Sequence, residues 1–204
     1  MKPFWIVVTT ISALIVAAIL FAVSGIYNVS ARAPHLAPTS LLLEAVRERS
    51  IEHHSSKMEW PTASDDQTLA MAGAVHFDAT CRKCHGAPGR PQDEFAQGMY
   101  PHPPLLSTGK ELDRDEIFWV VDNGLKMTGM PAFGVNHAHE EIIAITAFVE
   151  KLPELDDGSY AQFIEKAKMQ GGGEGHHHGE SESDMHPAES PGQTHELDGH
   201  HHSS

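Results

Sequence analysis

The sequence predicts an all-α protein: an apolar N-terminal helix, a helical domain around a cysteine pair, and an acidic tail rich in histidine. Apolar residues recur at helical spacing in three segments between residues 66 and 152. Loops rich in glycine and proline separate these segments, and no run resembles a strand. The length of 204 residues leaves room for one ordinary domain with extensions at both ends.

Residues 1–30 are predicted to be a transmembrane anchor or an uncleaved signal. Residues 4–23 read FWIVVTTISALIVAAILFAV, and no charged residue occurs between Lys2 and Arg32. About 20 apolar residues, at roughly 1.5 Å rise each, span a hydrocarbon core of about 30 Å. The run is longer than the roughly 7–15 apolar residues of a cleaved signal, which favours a retained anchor. In either case we expect the chain after residue 31 to be exported.

The next elements are predicted from helical periodicity and from helix-stopping residues. Residues 31–64 form a linker with a short juxtamembrane helix over 39–49, capped by Ser or Thr. The main domain is predicted over 65–153, with helices over 66–80, 115–123 and 139–152. A short helix over 154–170 is expected to begin with a capping box of Ser159 and Gln162.

The tail, residues 171–204, is predicted to be disordered because it has almost no apolar residues to bury. It carries seven acidic residues, no Lys or Arg, and eight of the sixteen histidines. Imidazole and carboxylate together suit Cu(II), Ni(II) or Zn(II), so we expect either metal binding or a solubilising role. The formal net charge of −14 excludes the basic face that nucleic-acid binding requires.

The only two cysteines, Cys81 and Cys84, stand in the stretch CRKCH at 81–85. This spacing suits a redox dithiol, half of a zinc site, or covalent haem attachment. A zinc site usually needs four ligands in paired spacings, and the chain has no second cysteine pair. A thioredoxin-like dithiol follows a strand, whereas these flanks are helical. Haem attachment also uses His85, which is placed to ligate the iron.

A His-ligated haem in an electron carrier needs a second axial ligand, for which a methionine thioether is typical. Met130 stands in the stretch TGMPAFG at 128–134, where Gly129 and Pro131 shape a loop able to deliver its sulfur. Met130 is therefore the predicted ligand. The fallback candidates are Met127, then His137 or His139.

Residues 65–153 resemble a class I c-type cytochrome with one haem, in their haem-attachment motif, Met-Pro loop and flanking helices. The resemblance implies a cytochrome c fold, with helices around one haem c bound through Cys81 and Cys84. It also implies that Gly73 and Phe77, ahead of the first cysteine, pack across the 139–152 helix against Phe148.

The same resemblance implies a Pro-x-Leu element, whose Pro carbonyl accepts the Nδ1–H of the proximal His and whose Leu packs on the haem. Pro104 and Leu106 fit this element, and Pro103 and Leu105 fit it in an alternative register. In the family a Trp or Tyr often binds a haem propionate. Trp119 is the candidate here, with packing in the core as the alternative.

The resemblance implies a one-electron carrier rather than an enzyme, because His85 and Met130 would fill both axial positions of the iron. The order of elements is similar to membrane-anchored cytochromes of proteobacterial respiratory chains. The expected location is the bacterial inner membrane, with a single span and the cytochrome domain in the periplasm. Expected partners are a dehydrogenase or quinol-oxidising complex, a terminal oxidase or other cytochrome, and membrane lipid at the anchor. The alternative function is a haem-based sensor or ligand-binding protein.

Overall fold

Helices make up the regular structure of the protein in a computed structural model, which describes residues 2–55, 60, 66–109 and 112–171. The α-helices in these ranges are α1 (Lys2–Val23), α2 (Ala37–Ser55), α3 (Asp66–His76), α4 (Arg82–His85), α5 (Glu94–Gln97), α6 (Arg114–Asn123), α7 (His139–Lys151) and α8 (Asp157–Met169). A π-helical turn, Phe77–Cys81, joins α3 to α4, and 3-10 turns occur at Leu106–Thr108, Phe133–Val135 and Leu152–Glu154. No strand forms within the described ranges, which confirms the all-α prediction.

Helix α1 is the apolar N-terminal helix that the sequence predicts. By length and composition, Pro3–Val23 could cross a membrane, and none of this span is buried within the protein. It is the one helix of this kind among the described residues. The helix is therefore a candidate membrane span.

Helix α2 is longer than the predicted juxtamembrane helix over 39–49, because it begins at Ala37 and ends at Ser55. Pro38 lies in its first turn, where a proline costs no intrahelical hydrogen bond. The helix can therefore include Pro38 and begin before residue 39. The C-terminal half packs against α6, and Ile51 there is only 4% exposed. The second half of α2 is polar and shows no apolar residues at helical spacing in the sequence. Its packing against α6 explains why the helix continues to Ser55.

The core forms where α3 crosses α7. A Cβ at Gly73 would lie 2.1 Å from the carbonyl oxygen of Ala144, so only glycine permits this close approach. One turn later the rings of Phe77 and Phe148 pack with their centroids 5.2 Å apart, and both are fully buried. These contacts confirm the packing expected for Gly73, Phe77 and Phe148.

Helix α8 differs in two ways from the minor helix predicted after Pro153. Its capping box pairs Asp156 with Ser159 rather than Ser159 with Gln162, because the Asp156 side chain accepts the Ser159 N–H at 2.8 Å. Its buried face, Tyr160, Ile164 and Ala167, belongs to the main core, and the helix packs against α3. It is therefore a structural part of the domain core, which the sequence did not predict.

The predicted disorder and metal binding of the His-rich tail fall on residues 172–204, outside the described ranges. The predicted domain limits at 30, 64, 153 and 170 stay predictions.

Candidate functional site

The cysteine pair lies at the end of one continuous helical segment. The π-helical turn Phe77–Cys81 leads directly into α4, and Gly86, with φ of 65°, ends the helix after His85. Residues three apart on a helix face the same side, so Cys81 and Cys84 project together. Both are partly buried free thiols. A π-helical turn inserted in an α-helix is frequent at functional sites.

Both thiols are held in their protonated form. Burial, and secondarily the neighbouring Cys84, raises the pKa of Cys81 to about 12. The pKa of Cys84 is also raised, first by burial and then by Asp93. A redox dithiol works through a thiolate whose pKa is lowered. The environment of this pair is the opposite of one that activates a redox cysteine.

His85 is oriented by one hydrogen bond. Its Nδ1–H donates to the carbonyl oxygen of Pro104 at 2.9 Å, which leaves the lone pair on Nε2. Burial lowers the pKa of His85, and the bond to Pro104 partly opposes this shift. A neutral imidazole with a free Nε2 is the form that binds a metal, and a carbonyl partner on Nδ1 is its usual orienting contact.

The loop opposite His85 adopts the Pro104 and Leu106 register of the Pro-x-Leu element. Pro104 carries the carbonyl that His85 uses, and Leu106 packs against the core. In the alternative register, Leu105 is 46% exposed and the Pro103 carbonyl accepts from Gln92 instead. The geometry therefore favours the first register.

Gln92 is a site residue that the sequence analysis missed. Its Nε2 donates to the carbonyl of Cys84 at 2.6 Å and to that of Pro103 at 2.9 Å. The side chain thus ties the helix end that carries His85 to the loop that carries Pro104. A single glutamine in a Gly- and Pro-rich loop belongs to no motif, so only the fold identifies it.

Met130 is held in a tight loop by its own backbone. The Leu125 N–H donates to the Met130 carbonyl at 3.2 Å, and the Thr128 hydroxyl accepts the Met130 N–H at 3.0 Å. Gly124, with φ of 64°, lies so close that a Cβ there would be 2.8 Å from the Met130 oxygen. The Met130 side chain is half-buried against the same core as Cys81. This loop fixes one methionine in place.

The fallback ligands occupy different surroundings. Met127 is 77% exposed and has a positive φ of 61°. His137 donates from Nδ1 to the Phe133 carbonyl, and its Nε2 lies 3.2 Å from that of His76. His139 is exposed at the start of α7. Of the two methionines in this loop, Met130 is half-buried and Met127 is exposed.

Trp119 lies apart from the other predicted site residues. It is half-buried on α6, and its ring centroid is 5.6 Å from that of His54 on α2. It lines a cavity between these helices, whereas Leu106 and Met130 pack with Cys81 against the main core. The indole therefore contacts α2, which the sequence predicts only as a short juxtamembrane helix within a linker.

The donor set fits haem c. Two protonated thiols one turn apart suit addition to the haem vinyl groups, and neutral His85 offers Nε2 to iron. Met130 would supply a soft thioether, and Leu106 an apolar surface. Among the described residues no cluster of three or more His, Cys, Asp or Glu residues could hold a metal ion directly.

Comparison with known proteins finds a related family over the middle of the chain. Residues 68–149 match the protein family described as cytochrome c oxidase, cbb3-type, subunit III. No curated protein and no solved structure matches the chain significantly. The matched segment contains the cysteine pair, His85, the Pro104 loop and Met130, and it ends inside α7. Over these residues the match supports a class I c-type cytochrome with one haem.

Proposed function

We propose that the protein is a membrane-anchored one-electron carrier with one haem c, ligated by His85 and Met130. The haem supplies a one-electron Fe(II)/Fe(III) couple when bound. A cytochrome c domain supports the carrier role in general. The observation that carries the specific proposal is the His85–Pro104 hydrogen bond, which leaves Nε2 of a neutral imidazole free for iron.

Each site residue has a role in this proposal. Cys81 and Cys84 form the thioether bonds, which fix the haem at the end of the α3–α4 segment. Pro104 orients His85 through its carbonyl, and Leu106 packs on the haem. Trp119 donates its indole N–H to a haem propionate.

The proposed ligation disfavours catalysis at the iron. With His85 on one side and Met130 on the other, no coordination position is left for a substrate. The alternative function, a haem-based sensor or ligand-binding protein, requires Met130 to leave the iron. The loop argues against easy release, because Leu125 and Thr128 hold the Met130 backbone by hydrogen bonds and Gly124 packs closely against it.

Location and partners follow from the anchor and the cofactor. We propose that α1 stays in the inner membrane of a bacterium in contact with lipid, and that the cytochrome domain lies in the periplasm, where c-type haem is attached. The donor would be a dehydrogenase or quinol-oxidising complex. The acceptor would be a terminal oxidase or another cytochrome, and the description of the matched family supports an oxidase.

Absorption spectra of matched methionine variants test the ligation. Ferric wild-type protein is expected to show the weak long-wavelength band of a thioether-ligated haem. Met130→Leu should lose that band, show a lower midpoint potential and bind carbon monoxide. Met127→Leu, which changes an exposed methionine three residues away, should keep all wild-type properties. A band that survives in Met130→Leu would refute the assignment.

A haem-stained gel of membrane and soluble fractions tests anchoring. The stain is expected in the membrane fraction, and removal of residues 1–30 in favour of a cleavable signal should move it to the soluble fraction. Stain in the soluble fraction of the full-length protein would mean that α1 is cleaved.

The His-rich tail is proposed to bind Cu(II), Ni(II) or Zn(II). Titration of Cu(II) or Zn(II) into protein with and without residues 171–204 tests this. Equal binding by the two proteins would refute the metal role.

A further inference from the structure

A cavity of about 630 Å³ is lined by α2, by α6 and by the loop that follows α6. Helix α2 lies outside the segment 68–149 that matches the cytochrome family. One wall of the cavity is thus part of the cytochrome domain, and the other belongs to this chain's own N-terminal extension. The cysteines, His85 and Met130 do not line it.

The proximal side of the site reaches this cavity through one loop. Tyr100 and Pro101 line the cavity, and the chain then runs three residues further to Pro104. Pro104 carries the carbonyl that orients His85. The segment from Tyr100 to Pro104 therefore connects the cavity wall to the hydrogen-bond partner of His85.

The distal side reaches the same cavity through a second loop. Leu125 and Thr128 line it, and both hold the backbone of Met130 by hydrogen bonds. If His85 and Met130 both held a haem, these two loops would contact it from the two ligand sides. One of its edges would therefore be directed to the cavity that both loops line.

The charges on the wall suit an anion, although the whole chain carries a net charge of −14. Arg47 of α2 and Lys126 of the distal loop line the cavity, and Glu44 is the one carboxylate in the described lining. Within the described residues, Arg47 has one ion pair, a 3.8 Å contact with Glu48, and Lys126 has none. Both cations are therefore available to a ligand.

Helix α2 is seated firmly enough to act as a wall. Ile51 and Ser55 are 4% and 3% exposed, and the His54 ring packs on Trp119. The chain just before the helix is also attached, because the His35 N–H donates to the Tyr100 hydroxyl at 3.0 Å. Contacts at both ends hold α2 across the cavity.

We propose that α2 completes the haem site, with Arg47 and Lys126 pairing with the haem propionates in this cavity. Haem is an apolar ring with two carboxylates on one edge, and the wall combines Leu43, Val46 and Trp119 with two cations. The inference rests on the proposed function. It assigns a cofactor contact to a helix that precedes the cytochrome domain in sequence.

Redox titration of two arginine variants of α2 tests the proposal. A cation close to the haem disfavours the ferric form, which carries the extra positive charge, so its removal should lower the midpoint potential. Arg47→Gln is expected to lower the potential, and Arg47→Lys to restore it. Arg49→Gln is the control, because Arg49 stands two residues away with its side chain 82% exposed and paired with Glu52.

The outcomes separate this proposal from the proposed function. If wild-type protein shows the thioether band but Arg47→Gln and Arg49→Gln both keep its potential, the role of α2 is refuted and the carrier function stands. If wild-type protein holds no haem, the proposed function fails first. If Arg47→Gln does not accumulate as holoprotein, Lys126→Gln decides, since an unchanged potential in this exposed-loop variant would refute the pairing.

Discussion

His85 donates its Nδ1–H to the carbonyl oxygen of Pro104 at 2.9 Å, across 19 residues of sequence. The bond fixes the tautomer of the imidazole and its rotation, and burial keeps the ring neutral. The side chain that would ligate iron is thus oriented by a loop that has no Lys, Arg, Asp or Glu between Pro101 and Thr108.

Gln92 is expected to stabilise this arrangement. Gln92→Leu removes three hydrogen bonds, to the carbonyls of Cys84 and Pro103 and to His102 Nε2, and should lower the free energy of unfolding by about 1–3 kcal/mol. Urea denaturation measures the change. Gln97→Leu, at an exposed position of α5, is the control and should change stability by about 0.5 kcal/mol or less. Equal stability of the two variants would contradict the bridging role.

Gly124 is expected to control the position of Met130. Gly124→Ala places a Cβ 2.6 Å from the Ala132 nitrogen at a φ of 64°, which strains the loop by about 1–3 kcal/mol. The holoprotein should lose part of its thioether band and become less stable to urea. Gly98→Ala is the control, since its nearest contact is 3.5 Å and its φ is −85°. A normal band in Gly124→Ala would show that the loop tolerates the change.

The crossing of α3 and α7 is expected to require glycine at position 73. In Gly73→Ala the new Cβ would meet the Ala144 carbonyl, and the helices must separate at a cost of about 1–3 kcal/mol or more. Thermal unfolding followed by circular dichroism measures this loss. Ala72→Ser, at an exposed position of the same helix, should leave the melting temperature nearly unchanged. An unchanged melting temperature in Gly73→Ala would mean that the crossing can widen freely.

Tyr160 is expected to attach α8 to the helix that carries the cysteines. It is 1% exposed, and its hydroxyl donates to Asp78 Oδ1 at 2.8 Å. Tyr160→Phe should cost about 1.5–3 kcal/mol, the usual range for a hydrogen bond to a charged group. A double-mutant cycle with Asp78→Asn measures the coupling in urea. Additive effects in that cycle would contradict a direct interaction.

The same tyrosine predicts a loss of stability at alkaline pH. Burial, and then Asp78, raises the pKa of Tyr160 above its ordinary value of 10.0. In the unfolded chain Tyr160 ionises at a lower pH than in the folded protein. Its contribution to the free energy of unfolding is therefore complete below about pH 10 and is lost as the pH rises above that value. Wild-type stability should therefore fall more steeply than that of Tyr160→Phe between about pH 9 and pH 11. Parallel curves would contradict the raised pKa.

The chain sequence was sufficient for the local features of the site. The CRKCH motif, the methionine between Gly129 and Pro131, and the apolar helix at the N-terminus are contiguous patterns, and the first two lie within the segment 68–149 that matches the family. The resemblance to class I c-type cytochromes implied the packing of Gly73 and Phe77 on the 139–152 helix, and the contacts with Ala144 and Phe148 confirm it.

The sequence alone determined that this is a helical protein with a c-type haem motif, since covalent spacing and periodicity are local properties. Only the tertiary structure decided between Pro104 and Pro103 as the partner of His85, brought in Gln92, and made α8 part of the core. It alone placed α2 against Trp119 and Arg47 on the cavity wall. These contacts join residues 8 to 82 positions apart, and their partners are chosen by packing and by hydrogen-bond geometry in the folded chain.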